Sequence, residues 1–185
     1  MEDHEIVRLY WARDQQALQE TGEKYGAYLR KIALNILADP EDAEECVNDT
    51  YAGAWNAIPP HSPEALSAFL GKLTRRIALN RQRELRSYKR GGGQAEAVLD
   101  ELAECVPSDD STEGAVEAAE LGRALDAFLD TLPHQRRTIF VRRYWHMEPI
   151  ADIAAATGMS EGAVKTTLFR TREKLKSYLK KEGWI

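Results

Sequence analysis

Apolar residues recur three and four positions apart over most of the chain, the spacing that gathers them on one face of an α-helix. Tyr25, Tyr28, Leu29, Ile32, Ala33, Ile36 and Leu37 form one such stripe, and Leu66, Phe69, Leu70, Leu73 and Ile77 form another. Asp39-Pro40 interrupts them. A proline at the first helical position, with Glu41, Asp42, Glu44 and Glu45 behind it, predicts a new helix running to about Trp55. The run Ile58-Pro59-Pro60-His61-Ser62-Pro63 reads as a short stiff loop, because its three prolines fix the backbone and remove donors. Periodicity resumes from Glu64. Gly91-Gly92-Gly93 then stops that helix, and residues 91–114, with Pro107, Ser108, Asp109, Asp110, Ser111 and Thr112, have the composition of a linker. AVLDELAE is one short amphipathic piece within it. Helices are expected again over 116–129 and 133–144, followed by two more, and no alternating strand pattern occurs. The expectation is an all-α fold of two small helical domains, 1–90 and 114–185, joined by a flexible acidic linker over 91–113.

The distribution of charge changes this picture more than its total does. A net charge of −5 argues against a nucleic-acid partner. However, residues 91–130 carry 1 base against 11 acids, and residues 131–185 carry 11 bases against 5 acids. Within the first domain, residues 39–49 hold six acids and no base, while residues 72–90 hold eight bases and one acid. Such asymmetry points to partners of opposite sign at different places along one chain.

Other classes are disfavoured. No apolar run approaches the roughly 18 residues of a membrane span, and the acidic start MEDHEIVRLYW is unlike a signal peptide, so a cytoplasmic protein is expected. Cys46 and Cys105 lie far apart without a C-x-x-C partner and read as reduced and structural. His4, His61, His134 and His146 have no metal-ligand spacing, and neither a Walker loop nor a nucleophile elbow is present. No catalytic residue, metal or cofactor is expected.

The most specific signal is PIADIAAATGMSEGAVKTTLFRTREKL, which reads as helix, tight turn, helix. Pro149 opens the first helix, Gly158 supplies a left-handed turn position, and Ser160 can cap the second. With Val164, Leu168 and Leu175 facing inward, Glu161, Lys165, Thr166, Phe169, Arg170 and Arg172 point outward or to the flanks, as on a recognition helix presented to a major groove. A helical hairpin with a solvated basic face fits the same residues.

The longer stretch from Leu129 resembles the promoter-binding C-terminal domain of bacterial sigma factors. The resemblance rests on Leu132-Pro133, Arg136, Ile139-Phe140, Arg143-Tyr144, Ile153-Ala154, Gly158-Met159-Ser160, Val164-Lys165 and Arg170-Thr171-Arg172-Glu173-Lys174-Leu175. It implies that Ser160, Glu161, Lys165, Thr166, Phe169, Arg170 and Arg172 contact the −35 element. Pro149 and Thr167 depart from the pattern, where Ser and Arg are common, and the second departure bears on one backbone contact.

The first domain is similar to the other domain of the same family. DPEDAEECVNDTYAGAW resembles its acidic helix, which docks on core RNA polymerase, and this implies core contacts at Asp42, Glu44, Glu45, Asn48, Asp49 and Trp55. On the residues alone, the same acids serve as a helix start that satisfies the macrodipole. AFLGKLTRRIALNRQRELRS resembles the family's −10-reading helix. The resemblance implies DNA contacts at Lys72, Arg75, Arg76, Asn80, Arg83 and Arg86, and a base-capturing loop including Asn56, His61 and Ser62. Two domains without the family's large middle domain match its extracytoplasmic-function (ECF) group. That group implies core polymerase, promoter DNA and an anti-sigma factor as partners. The linker's roughly 80 Å reach, at about 3.3 Å per residue, spans two turns of DNA. The rival reading is a free-standing helix-turn-helix regulator, which would bind a symmetric operator without polymerase.

Overall fold

The computed structural model describes residues 1–88, 94–103, 105 and 115–184, with side chains described for 1–85, 97–103, 105 and 120–184. Gly91-Gly92-Gly93 and the stretch from Pro107 to Gly114, both read above as breaks or linker, lie outside the described residues. The regular elements among the described residues are all α-helices, and the chain divides into two compact units, Met1–Gly93 and Gln94–Ile185.

The first unit holds α1 (Asp3–Trp11), α2 (Gln16–Leu37), α3 (Pro40–Ala57) and α4 (Leu66–Tyr88). Helices α2, α3 and α4 pack against one another, and α1 packs on α2. Leu29, Ile32, Ala33 and Ile36 of α2 are buried with Ala43, Cys46, Val47 and Ala54 of α3 and Leu66, Leu70 and Leu73 of α4, so the inner positions of both sequence stripes form the core. Asp39 caps α3: its carboxylate accepts from the amides of Glu41 at 2.9 Å and Asp42 at 3.0 Å, and Pro40 fills the first helical position.

Small residues let these three helices approach closely. A Cβ on Gly71 of α4 would lie 2.5 Å from the Tyr28 hydroxyl of α2, one on Gly53 of α3 would lie 3.0 Å from Leu73 of α4, and one on Gly26 of α2 would lie 3.2 Å from the Tyr51 hydroxyl of α3. Each helix therefore receives a bulky side chain from one neighbour and inserts one into the other.

The second unit holds α5 (Gln94–Ala103), α6 (Ala115–Asp130), α7 (His134–Tyr144), α8 (Ile150–Thr157) and α9 (Glu161–Lys181). Helices α7, α8 and α9 enclose Ile139, Phe140, Ile153, Val164, Leu168 and Leu175, and Phe128 of α6 packs on Tyr178 of α9. Gly158 ends α8 with φ of 67°, a left-handed value that costs glycine little. Ser160 then caps α9, its hydroxyl oxygen accepting from the Ala163 amide at 3.2 Å. Helix α5 overlaps AVLDELAE, and it packs on α7 with Val98 fully buried. This stretch, read in sequence as linker, thus carries a helix that belongs to the second unit by contact.

Candidate nucleic-acid interface

Helix α3 directs its acids to one outer face because Ala43, Cys46, Val47 and Thr50 take the inner positions. Glu44, Glu45, Asn48 and Asp49 are exposed, and Asp42 is half-buried. Glu44 and Asn48 line a shallow cleft of about 510 Å³ between α2 and α3, together with Gly26, Arg30, Val47 and Tyr51. Asp42 and Glu45 both accept from Arg81 of α4, with Nη2 at 2.7 Å from the Asp42 carboxylate. The Arg81 guanidinium holds the Glu45 carboxyl below its ordinary pKa, and the two acids raise that of Arg81. Trp55 is placed differently from the other expected contacts. Its ring packs edge-on against Tyr10 at 6.1 Å and under the Arg13 guanidinium, which also donates to the Trp55 carbonyl, so it braces α1 against the end of α3.

The bases of α4 separate into three groups. Lys72, Arg76 and Arg83 are exposed, and with the neutral Asn80 between them their spacing of four, four and three residues aligns the four side chains in one row. Arg75 leans inward, and burial lowers its pKa. Arg81 turns to the acids of α3. The Arg86 side chain lies outside the described residues. Asn56, His61 and Ser62 are exposed beside the start of α4, and His61 lies 6.4 Å from the Phe69 ring. The row and this loop therefore lie on one unit, as a surface that tracks phosphates beside a site for a base would require.

In the second unit Glu161, Lys165, Thr166, Phe169 and Arg170 of α9 are exposed, and Ser160 spends its oxygen on the helix cap. Phe169 is 57% exposed, which leaves its ring available for contact. Thr166 donates its hydroxyl proton to the Gly162 carbonyl, which leaves its oxygen free to accept. Arg172 departs from the outward expectation. Its guanidinium donates to the Tyr144 hydroxyl at 2.7 Å and lies 3.6 Å from the Glu101 carboxylate. Glu101 in turn pairs with Arg143 at 2.8 Å and accepts from the Tyr144 hydroxyl at 3.1 Å. Burial, with Glu101 nearby, raises the Tyr144 pKa, so this phenol stays protonated.

Nothing in the sequence singles out Arg81, Arg30 or Glu101. No spacing rule distinguishes an arginine that faces a partner from one that faces its own chain. Among the described residues no cluster of His, Cys, Asp or Glu could hold a metal ion, and no helix is long and apolar enough to cross a membrane.

Residues 23–88 match the family described as Sigma-70 region 2, and residues 122–175 match that described as Sigma-70, region 4. The RNA polymerase sigma-E factor of Streptomyces coelicolor is 31% identical over 154 residues, which cover 82% of this chain and 79% of that protein. The chain belongs to the sigma-70 family. The ECF RNA polymerase sigma factor SigE of Mycolicibacterium smegmatis is 24% identical over 153 residues, 83% of this chain, and the match spans 58% of that protein's length. A solved structure titled "Structure of CnrH in complex with the cytosolic domain of CnrY" shares 23% identity over 96% of this chain and 97% of its own, with a TM-score of 0.42. This sigma factor is of the ECF type and carries regions 2 and 4 as separate helical units; members of the family are transcription initiation factors and not enzymes. The exposed rows on α4 and α9 fall inside the two matched regions.

Proposed function

We propose that this ECF sigma factor binds core RNA polymerase through the acidic face of α3 and directs it to a two-part promoter. In this reading residues 1–90 dock on the core and read the −10 element, residues 114–185 read the −35 element, and the segment between them, whose helix α5 packs on the second unit, joins the two. Asp42, Glu44, Glu45, Asn48 and Asp49 form the docking face, and Trp55 supports it from within. Lys72, Arg76, Asn80 and Arg83 follow the phosphates while Asn56, His61 and Ser62 hold an extruded base. Lys165, Thr166, Phe169 and Arg170 enter the upstream major groove, where Phe169 suits a thymine methyl and Arg170 a guanine edge or a phosphate. The family's usual regulator, an anti-sigma factor, and a cytoplasmic location belong to the same reading.

The observation that carries it is the pairing of an outward acidic face and an outward basic row on adjacent helices of one unit, with a capped helix-turn-helix in the other. Copurification with core polymerase followed by run-off transcription tests it. Promoter-dependent transcripts are expected only when core and this chain are both present. Tight binding to a symmetric operator without polymerase, and no association with core, would favour the free-standing regulator instead.

A further inference from the structure

Arg172 sits in a row it does not complete. Lys165, Phe169, Arg172 and Lys176 follow one another at spacings of four, three and four along α9, so their Cα atoms share one flank. Lys165, Phe169 and Lys176 are exposed, but the Arg172 guanidinium folds back onto Tyr144 and Glu101, and its side chain is 15% exposed. The acid that holds it comes from α5, some seventy residues earlier in the chain. Glu101 therefore gathers two guanidiniums and a phenol at one carboxylate.

These partners are not equal. Arg143 is buried and also donates to the Glu148 carbonyl at 3.1 Å, so it keeps a partner if Glu101 leaves. Arg172 would keep a neutral phenol, which leaves its charge uncompensated at the edge of a surface built for an anion. Helix α5 has ten residues, too few for an isolated helix to persist in water, so its order depends on this docking.

We propose that α5 is an autoinhibitory latch: Glu101 withholds Arg172 from the DNA-facing row of α9, and release of α5 returns one cation to that row. The proposal rests on the reading of α9 as the DNA-binding helix and adds a control to it. Any event that draws α5 away strengthens DNA binding by one phosphate contact, without a change in the helix-turn-helix itself.

The test is the salt dependence of binding to a duplex of arbitrary sequence, measured by fluorescence anisotropy with the full chain. Each phosphate neutralised adds about 0.9 to the slope of log K against log salt. Glu101→Gln is expected to steepen the slope by about 0.9 and to raise affinity several-fold at low salt, and Glu101→Gln with Arg172→Ala to return it to the parent value. Asp100→Asn makes the same charge change at an exposed neighbour and is expected to leave the slope alone. Tyr144→Phe, which removes the other partner of Arg172, should steepen the slope in part and provides the reading if Glu101→Gln fails to fold. Equal slopes for the parent, Glu101→Gln and Tyr144→Phe overturn the latch, as does a gain that survives Arg172→Ala. Absence of salt-dependent binding by the parent would instead count against α9 as a DNA-binding helix.

Discussion

Arg81 of α4 reaches the Asp42 carboxylate of α3 through both Nε, at 3.0 Å, and Nη2, at 2.7 Å. The same guanidinium takes Glu45, so two acids of the proposed docking face are fixed by a base from the helix next to it. This relationship changes how that face should be probed. Glu45→Lys would put a cation beside Arg81 and weaken the α3–α4 contact as well as polymerase binding. Asp49 is exposed and separate from that cluster, so Asp49→Lys is the cleaner variant. It is expected to lose holoenzyme formation on gel filtration while its circular dichroism and melting remain those of the parent; normal association would remove Asp49 from the docking face.

Arg81→Ala should cost roughly 1 kcal/mol, the upper part of the range for partly exposed ion pairs. The effect has a defined pH dependence. The folded-state pKa of Glu45 is depressed, so its contribution is present at neutral pH and is lost as pH falls through the folded value. Side-chain NMR titration should find Glu45 protonating at lower pH than an ordinary glutamate, with the difference abolished in Arg81→Ala. An unchanged Glu45 titration in the variant contradicts the pairing.

Two glycine substitutions with the same backbone effect should differ in sign. Replacing a helical glycine by alanine gains up to about 1 kcal/mol in propensity. Gly122, within α6, has nothing within 4 Å of the added Cβ, so Gly122→Ala should stabilise the second unit by nearly that amount. Gly71→Ala would instead push against the Tyr28 hydroxyl and ring, and overpacking of this kind costs about 1–3 kcal/mol, which outweighs the gain. Because the chain has two units, hydrogen exchange of α4 and α9 amides is the appropriate measurement. Equal protection changes of one sign would show that Tyr28 moves aside freely.

What the sequence can reveal follows from how local each cause is. The start of α3 is legible because Asp39 and Pro40 act within one turn, and the helix-turn-helix is legible because Gly158 and Ser160 do the same. Arg81 and Arg83 stand two residues apart in one basic block, yet one is turned by acids on α3 and the other is exposed. Helical spacing groups Arg172 with Lys165 and places their Cα atoms correctly; the long Arg172 side chain follows Glu101 instead. Trp55 fits a family docking motif by position while its ring is held by Tyr10 and Arg13, partners more than forty residues away. Helix α5 is visible as an amphipathic piece, but its docking on α7 is not, because a single buried valine and a single acid leave no pattern.

The outward residues of α9 lead to a prediction about selectivity between partners. Lys165→Ala with Arg170→Ala removes two exposed cations from the part of α9 proposed to enter the groove and touches nothing in the core of the second unit. Binding to the upstream promoter element should fall about tenfold or more, and the salt slope should become shallower by about 1 for each phosphate that is no longer neutralised. Association with core polymerase should be unaffected, because the acids of α3 lie on the other unit. Full footprint protection over the upstream element by the double variant would argue that α9 does not enter the groove.

Cys46 offers an internal reporter of the first unit. Its thiol is fully buried, donates to the Thr74 carbonyl at 3.6 Å, and is pushed up to about 11 by burial, with Asp49 adding to the shift. The folded chain thus keeps a proton that the unfolded chain, with a thiol near its ordinary value of about 8.5, gives up. Below that value the raised pKa has no effect on stability, and between about 8.5 and 11 it makes the first unit progressively less stable. Native alkylation at pH 8 should therefore be slow and should track opening of the α3–α4 contact, because the buried thiol is neither ionised nor accessible. Mass spectrometry after timed treatment with iodoacetamide should find Cys46 protected, relative to a free thiol, by about the factor that protects the α4 amides from exchange, and less protected in Gly71→Ala. In Cys46→Ala the alkaline loss of stability should diminish. If Cys46 reacts at the rate of a free thiol while α4 remains protected, burial does not control its ionisation and the packing described for α3 against α4 is wrong at this position.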